Sequence, residues 1–102
     1  MMDITITIKD GIKTLELNGR LDGVSSEEAA QKMLAEIDDN VNLVIDMTNC
    51  QYVSSAGLRV LLMVGKRIKM QSGIMRFINL CEEVEEVMEI TGFGEIFKGF
   101  EN

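Results

Sequence analysis

The residues best placed to do chemistry are Ser54 and Ser55, in the stretch QYVSSAGLRVLLM at residues 51–63. Both hydroxyls stand directly before Ala56-Gly57 and a long apolar run, at the doorway of what reads as a buried helix. A helix N-terminus presents unpaired backbone N–H groups and the positive end of the macrodipole, so it tolerates an anion. A phosphate on a serine there brings nearly two negative charges to a surface that must fit a partner. The same residue type also serves as an N-cap, a role worth about 1 kcal/mol. Spacing alone leaves both readings open, the cap being the simpler.

Other candidate groups lie near the expected ends of strands. Asp22 leaves the second strand and Asp46 ends the third. Either carboxylate could accept loop N–H groups, Asp22 could hold a metal beside a phosphate, and Asp46 could orient a serine hydroxyl. The simpler reading is that each forms a turn. Cys50 and Cys81 also fall just past strand ends and read as small buried hydrophobes with free thiols. The chain has no His, which removes the usual base for a serine nucleophile and the commonest metal ligand. It has no GxxxxGK[ST] loop to cradle a nucleotide. An enzyme built on Asp22, Asp46 and a serine would lack a suitable base. The expectation is therefore a protein that is not an enzyme, with no cofactor and no metal.

The elements that position these residues follow from hydrophobic period. ITITIK alternates with period two and predicts a strand with one buried face. Asp10-Gly11 predicts a tight hairpin turn into a second strand, IKTLELNG, with Leu15 and Leu17 facing one way. GRLD leads out of the sheet. SSEEAAQKMLAEIDD, residues 25–39, predicts a helix capped by Ser25 or Ser26, with an apolar stripe of Ala30, Met33, Leu34 and Ile37. NLVIDM, short and nearly all apolar, predicts a central strand covered on both faces. Residues 56–71 predict a second helix with Leu58, Leu61, Leu62 and Ile68 on one face, stopped by Gly73 in the left-handed conformation. IMRFINL predicts a fourth strand. EEVEEVMEIT predicts a third helix, with Val84, Val87 and Met88 inward and Gly92 closing it, and FGEIFKGF a short closing element.

Alternation after the hairpin implies βα units on a mixed, mostly parallel sheet of four to five strands with helices packed on it, an α/β fold. Sites on such sheets form at the carboxyl ends of strands. Three loops should converge there: GRLDGVSS, TNCQYVSS and LCEE.

Composition bounds the rest. The chain has 102 residues, 46% of them apolar, which suits one domain over residues 1–102. Met is used eight times, with Met1 and Met2 expected to be exposed at the terminus. The net charge of −7 argues against a nucleic-acid partner. The absence of a long apolar run argues against a secretory leader and against membrane insertion, so a cytoplasmic location is expected.

With GRLD and DMTNCQYVSSAGLRVLL in view, the sequence resembles the STAS domain family, the fold of bacterial anti-sigma factor antagonists. The likeness runs over about residues 3 to 100, TGFGEIF included. It implies a partner-switching module. Such a protein binds an anti-sigma factor that is a serine kinase, and so releases a sigma factor. The kinase phosphorylates one serine at the start of the second helix and ends the binding, and a serine phosphatase restores it. The phosphorylated position of the family falls on Ser55, with Ser54 the alternative, and the family's aspartate after strand two falls on Asp22. Asp22, Ser54, Ser55, Ala56, Gly57 and Arg59 would then form the partner-binding surface. Many phosphorylated members carry an acidic residue where this chain has Ser54. Members also often continue into a terminal helix, whereas this chain stops at KGFEN. The family includes small subunits of lipid-transport complexes as well, so an unphosphorylated subunit docking to a transporter or another complex is the alternative.

Overall fold

The structure, a computed structural model, describes residues 2–91. Strand β1 (Asp3–Lys9) turns back antiparallel onto β2 (Ile12–Asn18), in register from Asp3 opposite Asn18 to Lys9 opposite Ile12. Asp10 and Gly11 at the turn have φ of 53° and 79°, so both central residues are left-handed, as a primed two-residue hairpin requires. The chain continues through α1 (Ser26–Leu34), β3 (Asn42–Asp46), α2 (Ser55–Met70), β4 (Ile74–Ile78) and α3 (Glu82–Ile90). The described strands form one sheet in the order β1-β2-β3-β4, with β2, β3 and β4 parallel. The expected mixed, mostly parallel sheet is present with four strands; the short closing element and Gly92 lie outside the described residues.

Period-two alternation puts Leu15, Leu17, Leu43, Ile45, Met75 and Phe77 in the core, on the face that the helices cover. Val44 points the other way and is buried too, in keeping with the nearly continuous apolar run of β3. Helix α1 contributes Ala29, Ala30 and Met33, and α3 contributes Val84 and Met88.

Several expectations are corrected. The inner face of β1 is not fully covered: Ile6 is 43% and Ile8 67% exposed. This is an edge strand, and α1 is too short to reach along it. That helix ends at Leu34, five residues before the expected end. The stop is explained by Lys13 on β2, whose ammonium binds the Glu36 carbonyl oxygen at 2.9 Å and the carboxylates of Glu36 and Asp38 at 3.3 Å. Burial works against the charge on Lys13, but these oxygens hold its pKa above the ordinary value. Met2 is not exposed; at 1% exposure it is part of the core. The buried face of α2 is centred on Gly57, Val60, Leu61, Val64 and Ile68, with Leu58 and Leu62 only partly covered at its sides.

The stop after α2 is also different. The left-handed residue is Ser72, at φ 59°, and not Gly73. Gly73 is small for another reason: an added Cβ would lie 2.8 Å from the Val41 carbonyl oxygen and 2.9 Å from Ile68 Cγ2. Backbone cannot yield as a side chain can, so Gly73→Ala is expected to cost about 1–3 kcal/mol. Gly23→Ala meets nothing within 4 Å and should stay within about 0.5 kcal/mol of the parent. Urea unfolding of the two variants reads the difference directly.

Candidate functional site

The loops after β2 and β3 are stitched together by backbone. Gly19 N–H donates to the Asn49 carbonyl (3.1 Å), Leu21 N–H to the Tyr52 carbonyl (3.0 Å), and Ser54 N–H to the Leu21 carbonyl (2.9 Å). Leu21 and Val53 form a parallel bridge that extends the β2–β3 pairing past the sheet. GRLD therefore does not simply leave the sheet; it runs alongside the segment that carries the serines. Gly57 makes this possible. An added Cβ there would collide with the Leu21 carbonyl oxygen and lie 2.9 Å from Leu21 Cγ and 3.0 Å from Val53 Cγ1.

The two serines have different environments. Ser54 is the N-cap of α2: its backbone is extended, it is half-buried, and its Oγ accepts the Gly57 N–H at 3.2 Å. Ser55 is the first helical residue and is exposed, and among the described residues its hydroxyl has no hydrogen-bond partner. Ala56 is partly covered and Arg59 is exposed one turn further on.

Asp22 forms a turn, as the simpler reading had it. One carboxylate oxygen accepts the N–H groups of Val24 (3.0 Å) and Ser25 (3.1 Å), and the other faces Arg20 Nε at 3.5 Å. The Ser25 N–H above all holds the Asp22 pKa below the ordinary carboxylate value, helped by the Val24 N–H, the Ser25 hydroxyl and Arg20. Ser25 stands at the N-cap position of α1 but does not cap it with its side chain. Its buried hydroxyl instead donates to the Arg20 carbonyl at 2.6 Å and accepts the Asp22 N–H at 3.1 Å. Sequence reading missed this pin, although the Asp-x-x-Ser spacing of LDGVS carried it. It also missed the Arg20 guanidinium stacked 4.0 Å over the Tyr52 ring, for which no local pattern exists.

Asp46 serves the third loop. Its Oδ1 accepts from Thr48 Oγ1 (2.6 Å), Thr48 N–H (3.0 Å) and Asn79 Nδ2 (3.1 Å), and it makes no hydrogen bond to either serine. Partial burial works against its charge, yet the Thr48 and Asn79 donors win and its pKa is lowered. Cys50 is buried, and its thiol pKa is pushed up by that burial; Cys81 is half-exposed, with Sγ 3.7 Å from the Gln51 carbonyl. Both are free thiols, and Cys50 fits the reading of a small core residue. Among the described residues no group of three or more acidic or sulfur side chains is arranged to hold a metal ion.

The convergence of three loops therefore stands, with Gly19 to Asn49, Asn79 to Asp46 and Cys81 to Gln51 as its ties. A shallow depression between them is lined by Arg20, Asn49, Gln51, Tyr52 and Glu83. The geometry is an open rim of backbone, one exposed serine and charged side chains.

A hairpin followed by βα units, with a glycine-leucine helix start packed on the loop after β2, defines a STAS-type α/β module. The chain belongs to the STAS domain family, whose family model matches residues 3–102. It is 34% identical over 97 residues to BtrV of Bordetella bronchiseptica, proposed by its name to be an anti-sigma factor antagonist, covering 94% of this chain and 84% of that protein. It is 27% identical over 97 residues to the anti-sigma-B factor antagonist of Bacillus subtilis, covering 93% and 89%. A crystal structure from Thermotoga maritima, of a protein proposed to be an anti-sigma factor antagonist, superimposes with a TM-score of 0.87 at 20% identity over 97% of this chain and 86% of that one.

Two outcomes follow from the site's geometry. Ser54→Ala loses the cap and should destabilise by about 0.5–2 kcal/mol, whereas Ser55→Ala should stay within about 0.5 kcal/mol, both read by urea unfolding. Acid should weaken the fold through Asp22 and Asp46. Both have lowered folded pKa values, so the unfolded chain binds protons first. Their contribution is complete above the unfolded pKa near 4 and is lost as pH falls through the folded values. Denaturation midpoints measured from pH 6 to pH 2.5 should fall less steeply for Asp22→Asn than for the parent.

Proposed function

We propose that this chain is an anti-sigma factor antagonist of the partner-switching kind. In this reading it binds, through the rim of Asp22, Ser54, Ser55, Ala56, Gly57 and Arg59, an anti-sigma factor that is also a serine kinase. The kinase transfers the γ-phosphoryl group of ATP to Ser55 Oγ, ADP leaves, and the Ser55 proton goes to a base on the kinase, since this chain has no His to take it. The added charge opposes the fit and the complex separates; a serine phosphatase restores the binding form.

The observation that carries the reading is the unequal use of the two hydroxyls. Ser54 is engaged as a cap and half-buried, while Ser55 is exposed and unengaged on the same rim. The names of the relatives support the partner class. The net charge of −7 does not suit a nucleic-acid partner. Among the described residues no helix is long and apolar enough to cross a membrane.

Intact-mass analysis after incubation with ATP and the kinase-fold anti-sigma factor of the same genome tests this. One phosphate, mapped to Ser55 and lost in Ser55→Ala, is the expected result. Phosphate on Ser54 would keep the switch and move its site. A stable complex with no phosphate under any condition would overturn the switch and leave an unmodified docking subunit.

A further inference from the structure

The exposed side of α2 carries an unused cation one turn beyond Ser55. Arg59 is exposed and, among the described residues, has neither ion pair nor hydrogen bond. It stands at the upper end of a groove that continues with Leu62, Met63, Lys66, Arg67 and Met70. The sequence of α2, SAGLRVLLMVGKRIKM, contains no acidic residue to claim it. Residues four apart on a helix are neighbours, about 5–6 Å between Cβ atoms. Helical side chains also lean toward the N-terminus, so a residue covers the turn that precedes it. The turn preceding Arg59 begins with Ser55.

Two other charged groups on this rim, Arg20 and Asp22, are committed. Arg20 lies on the Tyr52 ring and faces the Asp22 carboxylate, which is itself filled by Val24 and Ser25. A phosphate on Ser55 therefore finds in Arg59, four residues on, the nearest unpaired cation of its own helix among the described residues.

We infer that Arg59 clamps the phosphate carried by Ser55. This rests on the reading of Ser55 as the modified residue. Arginine suits the task because its planar fork meets two phosphate oxygens at once. The consequence is a two-part switch. The phosphate adds negative charge at the rim, and it also withdraws Arg59 from the groove, where the unmodified protein offers that guanidinium to a partner. The clamp holds the phosphate on α2, ordered and facing the partner.

The test does not depend on a kinase. Phosphoserine is installed at position 55 during synthesis of the full chain, and its second ionisation is followed by phosphorus NMR across pH 4.5–8. The helix N-terminus and Arg20 lower that value and Asp22 raises it, each alike in every variant, so the comparison between variants isolates Arg59. The value in the parent should lie about 0.3–0.6 pH unit below that in Arg59→Gln, from the usual size of an i,i+4 ion pair and the charge of the dianion. Arg59→Lys should recover part of the difference, and about 1 M salt should erase most of it. Equal values in the parent and Arg59→Gln would overturn the clamp. Failure of the kinase experiment with a persisting difference here would instead reject the switch reading and leave the clamp as chemistry of the helix. Arg59 is exposed, so both variants should keep the amide spectrum of the parent outside the first turns of α2.

Discussion

The candidate site depends on one close approach, that of the Leu21 carbonyl to the first turn of α2. That oxygen accepts the Ser54 N–H, and Gly57 sits against it with no Cβ to intervene. This contact sets where the first turn of α2, and with it the serines, stands against the loop that carries Asp22. The contact is an extension of the sheet. Leu21 and Val53 continue the parallel pairing of β2 with β3 for one more bridge, so the rim inherits the rigidity of the strands. Arg20, Asp22 and Ser25 then tighten the loop from outside, each through a bond to another member of the same stretch. A surface held in this way needs little further ordering if a partner binds it.

How much of this was legible in the sequence depended on range. Asp10-Gly11 announced its hairpin because both residues tolerate the left-handed conformation that the turn demands. The alternation of Leu15 and Leu17, and the apolar run of β3, were equally direct. What escaped required knowledge of neighbours distant in the chain. Lys13 ends α1 from another strand, and nothing in AEIDD signals that. Ile6 and Ile8 have the pattern of a covered face, but coverage depends on the length of α1, not on β1. Gly73 looked like a helix stop, whereas its role is set by Val41, over thirty residues earlier. At the site, SSAGL announced the helix start and a serine cap, and the structure assigns the cap to Ser54. The stacking of Arg20 on Tyr52 needed the loops to be brought together first.

The replacement of an acidic residue by Ser54 gains a physical meaning from the cap. The position immediately before Ser55 is the N-cap, and its side chain must accept the Gly57 N–H. Asp and Ser perform that task about equally well. The substitution therefore keeps the helix start and removes one negative charge beside Ser55. Less charge there lowers the repulsion that an incoming ATP phosphate meets, and it lowers the repulsion between a phosphate on Ser55 and its surroundings. The same loss weakens whatever the acidic residue contributes to recognition by a basic partner surface. With Arg59 on the following turn, the start of α2 is more positive than an acidic cap would leave it, in a chain whose net charge is −7. On the proposed reading, a phosphate on Ser55 would turn a locally positive helix start negative, where beside an acidic cap it would add to charge of the same sign. The charge added is the same in both cases, and so is the change in its interaction with a fixed partner charge; what differs is the starting state, a helix start that offers a partner positive charge and not a carboxylate.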